Sequence, residues 1–171
     1  MNYLWIDMEM SGLEVEKCRI LEVAAIVTDK DFKHLETYEA IVFQAPEVLA
    51  AMDAWCTKQH GESGLTAAVA NGKPEAQVEQ ELVALVNRHF SLGERPVLCG
   101  NSIGQDRKFI DAYMPTLAKR LHYRMLDVTS FKIVLQDKYG IEFKKKDSHR
   151  ALGDIEESIA ELSHYLSFVK T

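Results

Sequence analysis

Three stretches near the amino-terminal end constrain the fold most. Tyr3 to Met10, Ile20 to Thr28 and Leu35 to Phe43 are β-branched, aromatic or alternating in character, and each reads as a strand. Short turns separate them, one being the polar Asp29-Lys30-Asp31, which makes the three an antiparallel meander. The period then changes. Pro46 to Gln59 and Glu75 to Phe90 have helical spacing, the second with Val78, Leu82, Leu85 and Val86 on one stripe. Pro96 to Gly100 is a short buried-type strand feeding a helix with Phe109, Ile110, Tyr113, Met114 and Leu117, and Tyr123 to Val128 repeats that pattern, so two parallel strands are added. A polar loop through Lys144-Lys145-Lys146, read as solvated, ends near Ser148, the expected N-cap of a last helix striped by Ile155, Ile159, Leu162 and Leu166.

The expected fold class is therefore α/β: a mixed five-strand sheet, three antiparallel strands and then parallel ones, flanked by helices. Ribonuclease-H-like architectures have this order, although a fold by itself does not determine chemistry. At 171 residues the chain has the length of one domain, and no linker or repeat interrupts it, so residues 1–171 are expected to form a single domain. No apolar run approaches the roughly 20 residues needed to span a bilayer, and Tyr3-Leu4-Trp5-Ile6 stands where a basic leader would. Cys18, Cys56 and Cys99 form no CxxC pair and read as ordinary thiols of a reducing compartment, so a cytoplasmic location with no membrane partner is expected. Cys56 and His60 have a spacing that could serve a metal, but no second pair completes a zinc site. The net charge of −6 argues against binding long duplexes, which needs a broad basic surface. A negative protein can still handle a substrate with few phosphates if a divalent ion and a few placed cations do the local work.

The acids are placed unusually. Asp7 and Glu9 are two apart in an otherwise apolar first strand, so the pleat sends both carboxylates to one face. Two such anions side by side repel unless a cation neutralises them. Asp106 precedes Phe109, Ile110 and Tyr113 by three, four and seven residues and so faces the apolar side of its helix. Asp154 flanks the Ile155 and Ile159 stripe. His149, five residues earlier at the loop-to-helix junction, is close enough to share its site. Read singly, each has an ordinary role: a solvated strand end for Asp7 and Glu9, a helix-dipole partner for Asp106, a solvated helix acid for Asp154.

Together the motifs are Trp5-Ile6-Asp7-Met8-Glu9-Met10-Ser11-Gly12-Leu13, Gly100-Asn101-Ser102-Ile103-Gly104-Gln105-Asp106 and His149-Arg150-Ala151-Leu152-Gly153-Asp154. In this order they resemble the histidine-bearing branch of the DEDD 3′-to-5′ exonuclease superfamily. With Met52-Asp53-Ala54-Trp55 and His122-Tyr123-Arg124 between them, the resemblance is to the oligoribonuclease family and runs essentially end to end.

The resemblance implies a 3′-to-5′ exoribonuclease that hydrolyses very short RNA, especially dinucleotides, to nucleoside 5′-monophosphates. It implies that Asp7, Glu9, Asp106 and Asp154 hold two divalent ions, Mg²⁺ or Mn²⁺, since hard oxygen ligands select hard cations, and that His149 is the general base. It further implies that Leu13 wedges between the bases, that Trp55 and His60 line the site around the scissile nucleotide, and that Ser102, Arg124 and Thr129 cap a terminal 5′-phosphate. Tyr123 would reach over from the second subunit of a homodimer, and short single-stranded RNA and dinucleotides such as pGpG would be the partners. Outside that resemblance Arg124 reads as a strand-end cation, Tyr123 as a half-buried strand aromatic, Leu13 as a loop leucine and Trp55 as a core anchor. Thr129 stands where serine is usual, keeping the hydroxyl. Gly153 stands where another aspartate is common and could loosen its helix by about 1 kcal/mol relative to alanine. Two other readings stay open: a proofreading or repair DNA exonuclease of the same superfamily, and a catalytically silent RNA-binding scaffold.

Overall fold

A computed structural model describes residues 2–144 and 150–169 of the chain. A five-stranded sheet organises it, with strand order β3-β2-β1-β4-β5. Strand β1 (Tyr3–Met10) pairs antiparallel with β2 (Ile20–Thr28), which pairs antiparallel with β3 (His34–Ile41), as the short turns require. Strand β4 (Leu98–Gly100) lies parallel to β1 on its other side, and β5 (Met125–Asp127) lies parallel to β4. The expected mixed sheet is therefore present, with β1 at its centre.

Alternation along β1 divides the core. Leu4, Ile6 and Met8 pack on one face with helix α4 (Glu75–His89), helix α5 (Gly104–Tyr113) and helix α6 (Pro115–Arg120), through Val78, Leu82, Leu85, Phe109, Ile110 and Leu117. Trp5 packs on the other face with Ala24, Ile26 and Cys99 under helix α8 (Ala151–Leu166), through Ile155, Ile159, Leu162 and Tyr165. Each leucine, isoleucine, valine or phenylalanine among them, fully buried, contributes roughly 1.5–3 kcal/mol. The same parity that sends Trp5 toward α8 sends Asp7 and Glu9 there as well.

The helices differ from expectation in several places. The stretch Pro46 to Gln59 is broken into α1 (Pro46–Ala50) and α2 (Ala54–Glu62), because Asp53 sits at an N-cap with extended backbone and accepts the Cys56 N–H at 2.7 Å. A short α3 (Leu65–Val69) follows, entered through Gly64 at φ 78°; its five residues are too few to show a period in the sequence. Pro115 disfavours helical backbone at Met114, which adopts φ −128° and ψ 61° and so separates α5 from α6. Helix α7 (Val128–Tyr139) is capped by Asp127, which accepts the Thr129 N–H at 3.0 Å. At α8 the cap position is Arg150; Ser148 lies outside the described residues, as do Lys145 and Lys146. Leu166 is exposed, and Tyr165 completes the buried stripe in its place. Among the described residues no helix is long and apolar enough to cross a membrane.

Candidate active site

The site lies where β1, β4 and β5 end. Asp7 and Glu9 leave β1 on the α8 side, and Asp154 meets them from the first turn of α8. Ligand atoms of these three acids all lie within 4.8 Å of one another. Burial, and then the charges of Asp154, Glu22 and Asp106, push the Glu9 carboxyl up to about 7, against the pull of Arg150. The structure thus brings together three of the four expected acids. The fourth, Asp106 at the start of α5, is buried and accepts the Met8 N–H at 3.0 Å, which sets it against the backbone between Asp7 and Glu9 but outside that 4.8 Å set. Burial also raises its carboxyl above the usual range. His149 lies outside the described residues.

Beside Glu9 a cavity of about 470 Å³ opens, lined among others by Leu13, Asp53, Trp55, Cys56 and His60. Leu13 is 74% exposed and Trp55 64% exposed, so Trp55 is no core anchor. The Asp53 cap and the break before it turn α2 so that Trp55 faces the opening. His60 is buried, with Nε2 2.9 Å from the Met10 carbonyl oxygen and Nδ1 3.9 Å from Glu9. Cys56 packs beside it as a buried thiol pushed up to about 11 by burial and by its Asp53 contact.

On the β4 and β5 side, Ser102 and Thr129 are brought together. The Ser102 N–H donates to Asp127 at 3.0 Å and to the Thr129 hydroxyl at 2.9 Å, and the two hydroxyl oxygens are 3.2 Å apart. Ser102 has φ 49°, a left-handed backbone that costs a non-glycine residue about 1 kcal/mol and is held by these bonds. Arg124 lies over the Tyr123 ring, its guanidinium carbon 5.3 Å from the centroid, and that ring stacks on His122 at 4.5 Å. Tyr123 is 74% exposed and precedes β5, so it is not a half-buried strand residue.

Several supporting residues escaped the sequence reading. Gln105 donates to the Leu13 carbonyl at 2.6 Å, and the Tyr113 hydroxyl donates to the Val15 carbonyl, so α5 fixes the loop that carries Leu13. Gly12 belongs to that loop because a Cβ there would lie 2.6 Å from the Cys18 sulfur. Arg150 grips the buried Glu22 of β2 through three contacts of 2.5 to 3.1 Å. A glutamate inside the otherwise apolar Ile20–Thr28 was the available signal for that pair.

Residues 4–162 match the RNase_T exonuclease family. The chain is 47% identical over 168 residues to the oligoribonuclease of Francisella tularensis subsp. tularensis strain WY96-3418, covering 96% of this chain and 93% of the relative. It is 47% identical over 170 residues to the oligoribonuclease of Shewanella loihica, with the same coverage. The chain belongs to the oligoribonuclease family. That membership makes it a metal-dependent 3′-to-5′ exonuclease by family, and the acid cluster is the part of an oligoribonuclease site suited to a divalent cation. In fold it is similar to exonuclease I of Methylocaldum szegediense, with TM-score 0.74 at 16% identity, covering 96% of this chain and 40% of that longer one. It is likewise similar to E. coli exonuclease I solved with a dT13 oligonucleotide, with TM-score 0.67, 17% identity and coverage of 98% and 41%. The chain thus spans about two fifths of those exonucleases and nearly the whole length of the oligoribonucleases.

Proposed function

We propose that the protein hydrolyses very short RNA from the 3′ end, with dinucleotides such as pGpG preferred, and releases nucleoside 5′-monophosphates in the cytoplasm. The observation that carries this reading is the acid cluster of Asp7, Glu9 and Asp154, with the exposed Leu13 and Trp55 lining the cavity beside Glu9 and the Ser102 and Thr129 hydroxyls paired on the β4 and β5 side.

The donor set fits a hard divalent ion. All its atoms are carboxylate oxygens, and Glu9 is held back from ionising at neutral pH by burial and by neighbouring anions that a cation would offset. Asp7, Glu9 and Asp154, with Asp106 beside them, would hold two Mg²⁺ or Mn²⁺. When bound, such ions supply charge neutralisation at the scissile phosphate and a more acidic water.

The chain's own residues do the rest. Leu13 separates the two bases, and Trp55 stacks beside the scissile nucleotide for on the order of 1 to 3 kcal/mol regardless of sequence, with the buried His60 lining the site behind it. Ser102, Thr129 and Arg124 meet the 5′-phosphate, the guanidinium offering a planar pair of donors. His149 takes the proton from the attacking water, an imidazole being the side chain best suited to accept a proton and then give it back near neutral pH. A closed phosphate end explains why a long strand is excluded although the acids are common to exonucleases that digest long chains.

A homodimer completes this reading. Helix α7 leaves Phe131 and Val134 exposed around a shallow apolar hollow of about 360 Å³ that also includes Leu135 and Val169. An apolar patch of that kind favours covering by a second copy, which could bring Tyr123 across the interface.

A time course on 5′-phosphorylated RNAs of two to seven nucleotides with Mg²⁺, resolved by length, tests the proposal. Dinucleotides should disappear fastest while longer chains persist; indifference to length would refute the cap. Run in parallel, deoxyribo-dinucleotides and long single-stranded DNA distinguish the DNA exonuclease alternative, which requires preference for long DNA. No cleavage of any of them would favour a silent scaffold.

A further inference from the structure

The end of the groove that meets the 5′-phosphate is tied to the acid cluster through a buried polar chain. Glu161 of α8 is 0% exposed and accepts from the Asn101 side-chain NH₂ at 3.0 Å and from the Tyr165 hydroxyl at 2.9 Å. The same Asn101 NH₂ donates to the Ser158 hydroxyl at 2.8 Å, and Ser158 donates to the backbone carbonyl of Asp154 at 2.7 Å. The Asn101 carbonyl oxygen accepts from the Thr129 hydroxyl at 3.2 Å. Asp154, Ser158 and Glu161 are four and seven residues along one face of α8, so one helix face touches the acid cluster and the support of the cap.

The direction of every proton along this chain is set by chemistry. Ser158 gives its one proton to the Asp154 carbonyl and so can only accept from Asn101, which means that the Asn101 amide must turn its NH₂ toward Ser158 and Glu161 and its oxygen toward Thr129. Thr129 must then give its proton to Asn101 and show lone pairs to Ser102. The Ser102 N–H already occupies Thr129 at 2.9 Å, so the Ser102 hydroxyl can turn its own proton outward without leaving Thr129 unsatisfied.

We propose that Asn101, oriented by Glu161 and Ser158, is a positioning residue that sets substrate specificity: it makes Thr129 a fixed strut and Ser102 the hydroxyl that donates to the terminal 5′-phosphate. This rests on the cap assignment above. It departs from that assignment in giving Ser102 and Thr129 unequal roles.

The test compares KM and kcat for the 5′-phosphorylated dinucleotide pApA and the 5′-hydroxyl dinucleotide ApA, with Mg²⁺, in wild type, Asn101→Ala, Asn101→Ser and Glu161→Gln. Wild type should favour pApA. Losing the strut should raise KM for pApA by about tenfold, the scale of one hydrogen bond to a charged group, while both constants for ApA stay within about twofold. Asn101→Ser, too short to bridge Glu161 and Thr129, should behave alike and serves if the alanine variant does not fold. Glu161→Gln keeps a carbonyl that can accept from Asn101, so it should retain the wild-type preference. Equal losses on both substrates, or an unchanged pApA-to-ApA ratio in both Asn101 variants, would overturn the positioning role alone. A wild type blind to the 5′-phosphate would overturn the cap, and this proposal with it.

Discussion

At Glu9, burial and neighbouring anions act in the same direction and raise its carboxyl to about 7, with Arg150 the opposing charge. A side chain in that position favours a cation beside it, so Glu9→Gln should cut turnover on the order of 10²–10³, the cost of losing one preorganised charge contact. Circular dichroism should show the fold retained. Trp55 makes the complementary case. It is 64% exposed, so Trp55→Ala should leave the thermal midpoint almost unmoved while raising KM for dinucleotides about tenfold or more, the value of one base stack. An unchanged KM would remove Trp55 from the groove. The two acids of β1 were legible in the sequence because period two is rigid: side chains two apart share a face whatever the tertiary context. Glu161 and Asn101 were not, since their partners lie 60 residues apart and only folding brings them into contact.

At the scale of elements, α8 depends on how it is anchored to the sheet. Glu22 is almost fully buried in β2 and is met by Arg150 at the α8 cap, so Arg150→Met would strand a buried carboxylate at a cost of about 3 kcal/mol, read by urea denaturation. Replacing both partners with apolar residues should recover much of that loss. Strand β3 and helix α4 are joined by Glu36, whose carboxyl is drawn down to about 2 by hydrogen bonds from Arg88 and then His89. A lowered acid contributes stability above its ordinary value of 4.5 and loses it as pH falls toward 2. The wild type should therefore exceed Glu36→Gln in stability at pH 6, by at most about 1 kcal/mol at so exposed a pair, and the gap should shrink steadily as pH falls from 4.5 toward 2. The strands of the meander were readable because their turns are short and their pattern strong. The break at Asp53 was hidden because an N-cap in mid-run leaves helical spacing on both sides. The break at Met114 had a visible cause in Pro115, which an apolar stripe running through it masked.

For the whole molecule, strand order places three groups of side chains at one end of the strands: acids on β1 and α8, the exposed Leu13 and Trp55 on the loop after β1 and on α2, and hydroxyls after β4 and β5. They meet because the parallel strands added beside the central β1 end on the same side. Helix α7 was foreseen only as the helix after β5, and its exposed apolar face is a property of tertiary structure. Val134→Glu on that face should shift sedimentation from dimer to monomer and weaken turnover of dinucleotides; a monomeric wild type would remove the second subunit from the account. The claim beneath all of this is that Asp7, Glu9 and Asp154 form one cation site, and calorimetric titration of Mn²⁺ into the substrate-free protein measures it directly. Saturable binding in the wild type that is lost in Asp7→Ala and Asp154→Asn is the expected result, and an equal heat of binding in all three proteins would contradict it.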